Sequence, residues 1–373
     1  MPQGGTREAG GSLTAQQTDE VYMPKLEESC NICPRNCGIN RNVKKGFCGS
    51  DSRIMITRAA PHMWEEPCIS GKNGSGAVFF SGCNLHCVYC QNKAISDGGV
   101  GKEVSIERLA QIFLELQAKN VYNINLVTPT HYALAIKEAV KLARNYHLQI
   151  PIVYNCGGYE SVETIKALED TVDIWMPDFK YMSAETAKKY SNCPDYFERA
   201  TEALDEMVRQ IRFKGGTRFI NQNFSLEENK SRYEELQTPY AEKFVVRSIP
   251  DQDKADVRPS DEVSDSDSFN IMTQGIIVRH MMLPGHIGES KRILRFLHER
   301  YGNDIYISIM SQYTPMPQIL ESDRFPELKT KVDRGEYNRL VDFALKIGIE
   351  NAFIQEVDVA SESFIPSFNC EGV

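Results

Sequence analysis

The stretch that decides the fold lies at residues 81–92 and reads SGCNLHCVYCQN. It places Cys83, Cys87 and Cys90 in one loop with the spacing C-x3-C-x2-C, directly after the apolar run AVFFSG. Three thiolates in so short a loop can wrap one face of an iron–sulfur cubane, bind three of its irons and leave the fourth without a protein ligand. A structural zinc site usually has four closed ligands, so this triad fits zinc less well. The spacing predicts a 4Fe-4S cluster; zinc completed by His86, or three unrelated thiols, are the alternatives.

Outward from this loop, short apolar runs rich in β-branched residues alternate with helical patterns. Six strand-then-helix units in sequence require parallel strands with right-handed crossovers, so the sequence predicts an α/β fold. Parallel βα folds place their chemistry on the loops that follow the strands, which is where the three cysteines stand. The predicted strands are residues 77–82, 123–127, 151–155, 173–180, 274–283 and 304–310.

The chain divides into a core domain with additions at both ends and in the middle. About 100 residues separate the starts of the fourth and fifth predicted strands, which indicates an insertion at about 213–270. Within it, residues 251–267 carry seven acidic residues against Lys254 and Arg258, and are predicted to form a disordered acidic loop. The expected division is a flexible tail at 1–28, a Cys-rich N-terminal segment at 29–72, the core domain at 73–356 and a C-terminal tail at 357–373.

The composition narrows the class of protein. The 373 residues carry a net charge of -9, which makes nucleic acid an unlikely partner of the whole chain. No stretch approaches about 18 uninterrupted apolar residues, and the first twenty residues lack the apolar core of a signal peptide. We therefore expect a soluble cytoplasmic protein without a membrane partner. The 11 cysteines would then lie in a reducing compartment, where thiols stay free or bind metal.

A second group of cysteines precedes the first predicted strand. Cys30, Cys33, Cys37 and Cys48 supply four thiols in nineteen residues, interrupted by proline and glycines as a tight knuckle requires. Four such ligands could close a zinc site or hold a second iron–sulfur cluster. The sequence also leaves open that these thiols bind no metal.

The cysteine triad at the end of the first of six βα units resembles the radical S-adenosylmethionine (SAM) superfamily. The resemblance implies a partial TIM barrel of six βα units, (βα)6, with a Cys-rich N-terminal segment. It further implies that the free iron chelates the amino and carboxylate groups of SAM, and that Tyr89, the residue before the last cysteine, lies beside the adenine.

Further motifs are similar to the pyruvate formate-lyase activating enzyme-like branch of the glycyl-radical activases. They are NICPRNCG, KGFCG, EEPCISG, SGAVFF, NINLVTPTH, YNCGGY, PDFKY and VRHMMLPG, and they cover about residues 29–355 apart from the insertion. The D-x-K motif of the activases matches Asp178 and Lys180, and their R-x4-P-G motif matches Arg279, Pro284 and Gly285. In activases these positions lie near the carboxylate and ribose of the cofactor, which suits a cation such as Arg or Lys.

Two motifs depart from the activase pattern. The G-G-E that follows the second strand of activases and receives the amino group of the cofactor is replaced by TPTH at 128–131. The activase P-Y-H after the sixth strand is replaced by QYT at 312–314. Because these loops would surround the substrate, the departures leave the hydrogen donor open.

The resemblance implies an enzyme that reductively cleaves SAM to a 5′-deoxyadenosyl radical and abstracts hydrogen, acting as an activase on a glycine of a protein substrate. A low-potential electron donor of the flavodoxin or ferredoxin type is expected as a partner. A radical SAM enzyme acting on another peptide, RNA or a small molecule is the alternative within this class. A non-enzymatic iron–sulfur or zinc protein and an electron-transfer module are the alternatives outside it.

Overall fold

The computed structural model describes residues 29–220, 270–355 and 366–373. Both the predicted tail at 1–28 and the acidic stretch 251–267 lie outside the described residues. The strands are β1 (Ile54–His62), β2 (Ser75–Phe80), β3 (Lys102–Val104), β4 (Ile124–Val127), β5 (Ile152–Cys156), β6 (Ile174–Pro177), β7 (Arg218–Ile220), β8 (Ile271–Met281), β9 (Tyr306–Met310) and β10 (Ala352–Ile354).

Helices connect the strands and cover one face of the sheet. They are α1 (Pro67–Ser70), α2 (Lys93–Ser96), α3 (Ile106–Ala118), α4 (Ala133–Asn145), α5 (Val162–Ala167), α6 (Ala184–Ser191), α7 (Tyr196–Phe213), α8 (Ile287–Tyr301), α9 (Pro317–Leu320) and α10 (Arg334–Lys346). Four of them begin after a Ser or Asp whose side chain accepts a hydrogen bond from a backbone N–H of the first turn, which satisfies one free donor. These caps are Ser105, Ser161, Ser183 and Asp333. None of the helices in the described ranges is long and apolar enough to cross a membrane.

The strands form a mixed sheet in the order β10-β9-β8-β6-β5-β4-β2-β1-β3, and β7 pairs with β8 outside this path. Strands β2, β4, β5, β6, β8, β9 and β10 run parallel, whereas β1, β3 and β7 are antiparallel to their partners. No pairing joins β10 to β3 in the described parts of the chain, so the barrel stays open on one side. The six predicted βα units are present in an unclosed partial barrel, which confirms the predicted fold class.

The two faces of the sheet have different surroundings. Val78, Leu126 and Trp175 point outward and pack in the large apolar core shared with the helices. On the inner face, Val153 and Ile174 pack with Cys68 and Ile69 of α1 in a smaller cluster. Since α1 follows the end of β1 that lies opposite the start of β2, it fills the barrel near the amino ends of the parallel strands. The carboxyl ends of these strands are not filled by α1 and are available for a functional site.

Candidate active site

The cysteine loop begins at a glycine whose backbone conformation is rare for any other amino acid. Gly82 has φ +97°, and a Cβ there would collide with the Ser50 hydroxyl and the Cys48 carbonyl. The backbone N–H of Cys83 donates to the Cys48 carbonyl at 3.1 Å, and that of Val88 donates to the Tyr190 carbonyl at 2.9 Å. The loop is therefore fixed between the N-terminal segment and α6.

The three thiols of this loop, which were predicted to bind iron, line one cavity at the carboxyl end of β2. Burial raises the pKa of Cys83 to about 11 and that of Cys90 to about 12, because a desolvated thiolate is unfavourable without a nearby cation. The Ser191 hydroxyl donates to Cys87 Sγ at 2.9 Å, and the Leu85 N–H lies 3.4 Å from Cys83 Sγ. Three thiols held in fixed positions and largely shielded from water can ligate a 4Fe-4S cluster, because each iron would stabilise the thiolate form of its cysteine.

Tyr89 also lines this cavity, where the resemblance expects it to lie beside the adenine. Its hydroxyl lies 2.7 Å from the Tyr181 hydroxyl, which lies 2.7 Å from Ser191 Oγ. Ser191 in turn donates to Cys87, so a chain of hydrogen bonds runs from the aromatic wall to a candidate iron ligand. Tyr89 is thereby held rigidly.

Asp178, Lys180 and Arg279 face the same cavity, as the motif match predicts. Lys180 Nζ donates to Asp178 Oδ2 at 2.6 Å, and Arg279 Nε donates to Asp178 Oδ1 at 3.2 Å. Burial alone would raise the pKa of Asp178, but the charges of Lys180 and Arg279 outweigh it and lower that pKa. For Lys180, burial is the largest effect and lowers the pKa, but Asp178 and Cys87 together outweigh it and raise that pKa. The resemblance places these two cations near the cofactor, and the structure shows that each also has a carboxylate partner within the chain.

Glu65 completes this network and was missed at the sequence level. It follows β1, accepts from Asn125 Nδ2 at 2.9 Å through Oε1, and accepts from Arg279 at 3.3 Å through Oε2. Arg279 also donates to Asn155 Oδ1 at 2.7 Å. Two glutamates directly before Pro67 are typical of the solvent-exposed start of a helix. No pattern in the sequence therefore indicated a buried carboxylate.

The N-terminal cysteines lie in a segment that contacts the cysteine loop through the Cys48 carbonyl. Cys30, Cys33 and Cys48 are buried and Cys37 is partly exposed. The thiols of Cys37 and Cys48 both approach Gly46, where a Cβ would lie 3.4 and 3.6 Å from them. In the described residues, no three His, Cys, Asp or Glu side chains are placed to hold one metal ion, and this includes both cysteine groups. Metal binding by the N-terminal cysteines therefore stays a prediction.

The loops that depart from the activase motifs also reach the cavity. Thr128 and Gln312 line it, and Thr128 adopts φ +58°, an uncommon conformation for a residue with a branched side chain. Gln91 Nε2 donates to the Gln312 carbonyl at 3.0 Å, which joins the cysteine loop to the loop after β9. These residues form part of the wall that a substrate would meet.

The chain is similar to known proteins in sequence and in fold. A model of the Radical SAM superfamily matches residues 77–234. The uncharacterized protein MJ0674 of Methanocaldococcus jannaschii is 23% identical over 336 residues, which cover 87% of this chain and 76% of that protein.

Among solved structures, Streptococcus suis SuiB bound to S-adenosylmethionine is similar with a TM-score of 0.40 and 8% identity over 77% of this chain and 51% of SuiB. The native anSMEcpe structure with bound AdoMet gives a TM-score of 0.38 and 10% identity over 72% of this chain and 58% of that chain. The chain thus spans about half the length of these solved structures. The superfamily match covers residues 77–234, which include the cysteine loop, most of β2, and strands β4, β5 and β6 of the unclosed sheet.

Proposed function

We propose that this protein is a radical SAM enzyme that cleaves SAM reductively and abstracts a hydrogen atom from a substrate. The observation that carries the proposal is the convergence of Cys83, Cys87 and Cys90 on one cavity at the carboxyl end of β2, within the matched domain. These three residues would hold a 4Fe-4S cluster whose open iron takes up SAM. Once reduced by an external donor, such a cluster would supply one electron to bound SAM, whose C5′–S bond would break to give methionine and a 5′-deoxyadenosyl radical.

The side chains around the cavity have distinct tasks in this proposal. The loop 82–90 orients the thiols, and the Ser191 hydroxyl fixes Cys87. Tyr89 provides a rigid aromatic wall against which an adenine can pack. Lys180 and Arg279 keep their positive charge while buried, so they can attract the carboxylate of SAM even though each already contacts Asp178.

Part of the cavity wall is apolar. Its apolar wall consists of Phe79, Leu85, Val127, Met281 and Met310. Excluding water strengthens the electrostatic contacts inside and prevents side reactions of a reactive intermediate. The reacting C–H bond must then lie within van der Waals reach of the radical.

Two further parts of the proposal concern metals and electrons. The electron would come from a low-potential flavodoxin or ferredoxin type of donor. Cys30, Cys33, Cys37 and Cys48 would hold zinc or a second iron–sulfur cluster; the carbonyl of Cys48 already anchors Cys83, so a metal here would stiffen the cysteine loop.

Two substrate classes compete. The motif similarity favours an activase that takes hydrogen from a backbone glycine of a protein partner. The inner wall, however, carries Glu65, Asn155 and Asp178 in addition to the two cations, and this polar surface favours a small polar molecule. Incubating the reduced enzyme with deuterated candidates of both classes distinguishes them, because only the true substrate transfers label into 5′-deoxyadenosine.

Replacing Cys83, Cys87 or Cys90 individually by Ala tests the proposal. We expect each variant to lose bound iron and sulfide together with 5′-deoxyadenosine formation after reduction with dithionite, because a cubane that lacks one thiolate loses both a ligand and its redox tuning. Iron analysis, the absorbance of the cluster and chromatography of 5′-deoxyadenosine are the measurements.

Cys68→Ala is the matched control, since Cys68 is also a buried free cysteine but packs beneath the cavity on the inner face of the sheet. Cys30→Ala should also keep SAM cleavage. If only the N-terminal variants abolished cleavage, the radical site would be the other cysteine group. Absence of 5′-deoxyadenosine from the fully loaded, unmodified protein would instead favour a non-enzymatic iron–sulfur protein or an electron-transfer module.

A further inference from the structure

The cysteine loop has a second side, which is turned away from the cavity and toward solvent. His86 directly precedes Cys87, its side chain is partly exposed, and it does not line the cavity. Its ring makes a T-shaped contact with the ring of Phe47, with centroids 5.0 Å apart, and Phe47 is 39% exposed. Because consecutive Cα atoms are about 3.8 Å apart, a protein that touches His86 lies one residue from a proposed ligand of the cluster.

Cations surround these two rings. The Lys93 Nζ donates to Asp97 Oδ1 at 2.6 Å, and the same oxygen lies 3.1 Å from His86 Nδ1. The Lys45 Nζ reaches the loop that follows, because a Cβ on Gly99 would lie 3.1 Å from it. The third cation of the group stacks on the aromatic ring, with its guanidinium carbon 4.0 Å from the ring centroid. We call the basic patch the set Arg35, Lys45, Phe47, His86, Lys93 and Asp97.

The basic patch is positive, whereas the chain as a whole is negative. Its three cations stand against the single carboxylate of Asp97, and Lys44 adds an exposed cation next to Lys45. Two acidic residues lie near its border, Asp51 and Asp195, and each forms an ion pair with an arginine outside the patch. The net charge of the chain is -9. The patch would therefore attract an anionic protein, while the charge of the rest of the chain would disfavour its binding elsewhere.

The basic patch is held in a fixed position on the cysteine loop. Arg35 Nε donates to the Asn84 carbonyl at 2.8 Å, and its NH2 group donates to the Ser191 carbonyl at 2.9 Å. His86 Nε2 lies 2.8 Å from the Phe47 carbonyl oxygen. A protein docked on the patch would thus be kept at a constant distance from the three cysteines, as electron transfer requires, because its rate falls steeply with distance.

We propose that the basic patch is the docking surface of an acidic flavodoxin-type protein, which reduces the cluster through the His86–Cys87 side of the loop. The anionic hydroquinone of the flavin loses one electron and becomes the neutral semiquinone, the cluster gains that electron, and no bond or proton is transferred. The exposed part of the Phe47 ring offers an apolar contact to the edge of a flavin. This inference rests on the proposed radical SAM function, since only a redox cluster in the loop needs such a donor.

The test measures docking and electron transfer separately from SAM cleavage. The full-length protein with its cluster reconstituted is titrated anaerobically with an oxidised, acidic flavodoxin, and calorimetry gives the affinity. The protein is then mixed with the hydroquinone form of the flavodoxin, and stopped-flow absorbance follows reduction of the cluster. Photoreduced 5-deazariboflavin, which is small and uncharged, is the reductant that needs no docking surface. Ionic strengths of about 0.01 M and about 0.15 M are compared, between which the Debye length falls from about 30 Å to about 8 Å.

We expect Lys45→Glu to lower both the affinity for flavodoxin and the rate of cluster reduction by flavodoxin about tenfold at the lower ionic strength. The difference should shrink at the higher one, and reduction by 5-deazariboflavin should not change. Lys93→Gln should act in the same direction and serves as the second variant if Lys45→Glu does not fold. Lys141→Glu, on the exposed face of α4, changes the net charge equally and is the matched control.

Four outcomes would overturn the inference. They are no binding of flavodoxin to the unmodified protein, unchanged binding and reduction in both patch variants, an equal loss in Lys141→Glu, and slower reduction of the patch variants by 5-deazariboflavin. If an acidic ferredoxin bound in a Lys45-dependent manner and flavodoxin did not, the flavin-carrying partner would be wrong. These failures are distinct from failure of the proposed function, which is decided by dithionite-driven 5′-deoxyadenosine formation in the unmodified protein.

Discussion

Arg279 links polar groups from four parts of the chain. Its guanidinium contacts Asp178 after β6, Glu65 after β1 and Asn155 in β5, while Arg279 itself comes from β8. Arg279 therefore has a structural role in addition to its proposed role in binding SAM. Because both carboxylates are buried, removal of the cation would leave Glu65 without an ion-pair partner and Asp178 with Lys180 alone, which usually costs more than the ion pair contributes.

We therefore expect Arg279→Gln to have two effects. The free energy of unfolding should fall by about 3 kcal/mol, the low end for breaking a buried pair, since the Arg279 side chain is 18% exposed. The affinity for SAM should fall about tenfold, and Lys180→Met should weaken SAM binding similarly. Urea unfolding and titration of SAM into the reduced protein, followed by electron paramagnetic resonance of the cluster, are the measurements.

Arg292→Gln, on the exposed face of α8, is the control and should leave both quantities unchanged. Addition of Glu65→Gln to Arg279→Gln should recover part of the lost stability, because one uncompensated carboxylate disappears. Full stability of the Arg279→Gln single variant would contradict a structural role, and full SAM affinity would contradict a binding role.

At the scale of elements, the last described segment, 366–373, lies along the free edge of β1. The Cys370 N–H donates to the Thr57 carbonyl at 2.9 Å, and the Ala59 N–H donates to the Glu371 carbonyl at 2.8 Å. Arg58 forms an ion pair with Glu371, and the rings of Phe79 and Phe368 lie 5.4 Å apart. Pro366 lines the cavity, so this segment covers part of the open side of the barrel.

Deletion of residues 366–373 should therefore lower stability and expose the edge of β1. We expect the free energy of unfolding to fall by about 2 kcal/mol, from two backbone hydrogen bonds and the burial of Phe368. The amide of Ala59 should lose its protection from hydrogen exchange, while amides of β1 that bond to β2 should keep theirs. Unchanged exchange at Ala59 would show that the segment does not pair with β1 in solution.

The elements also show what sequence reasoning can reach. The six parallel strands were predicted to within about three residues at their starts, because strands buried on both faces are near-continuous apolar runs. Strands β3, β7 and β10 have only three residues each, and their pairing partners rather than their composition determine them. The cysteine loop could be predicted because its spacing is local. Glu65 could not, since its burial depends on Arg279 and Asn125, which are distant in sequence.

At the scale of the whole molecule, the partial barrel is polar inside and apolar outside in its upper half. Asn125, Asn155, Arg279 and Ser308 lie on inner positions of β4, β5, β8 and β9, whereas the outward positions between them are apolar and packed against helices. A fold that only needed to be stable would not bury this many polar groups, because each must find a partner. The interior is thus organised for a ligand, and the helices and the outer face of the sheet supply stability.

We expect that the fold does not require most of the insertion predicted at about 213–270. Strand β7 ends at Ile220, β8 begins at Ile271, and these two residues are direct partners in the antiparallel ladder. Two adjacent antiparallel ends can be joined by a two-residue turn such as Asn-Gly. We therefore expect that replacement of residues 221–270 by Asn-Gly, or the smaller deletion of 251–267, changes the unfolding temperature by less than about 2 °C and leaves cluster content unchanged. Thermal unfolding and iron analysis are the measurements, and a variant with Asn-Gly inserted after Ala77 in β2 is the negative control, since it should not fold. Loss of soluble protein on replacement of 221–270 would show that the segment belongs to the core or to an interface, because the β7–β8 pairing alone would then be insufficient to close the chain.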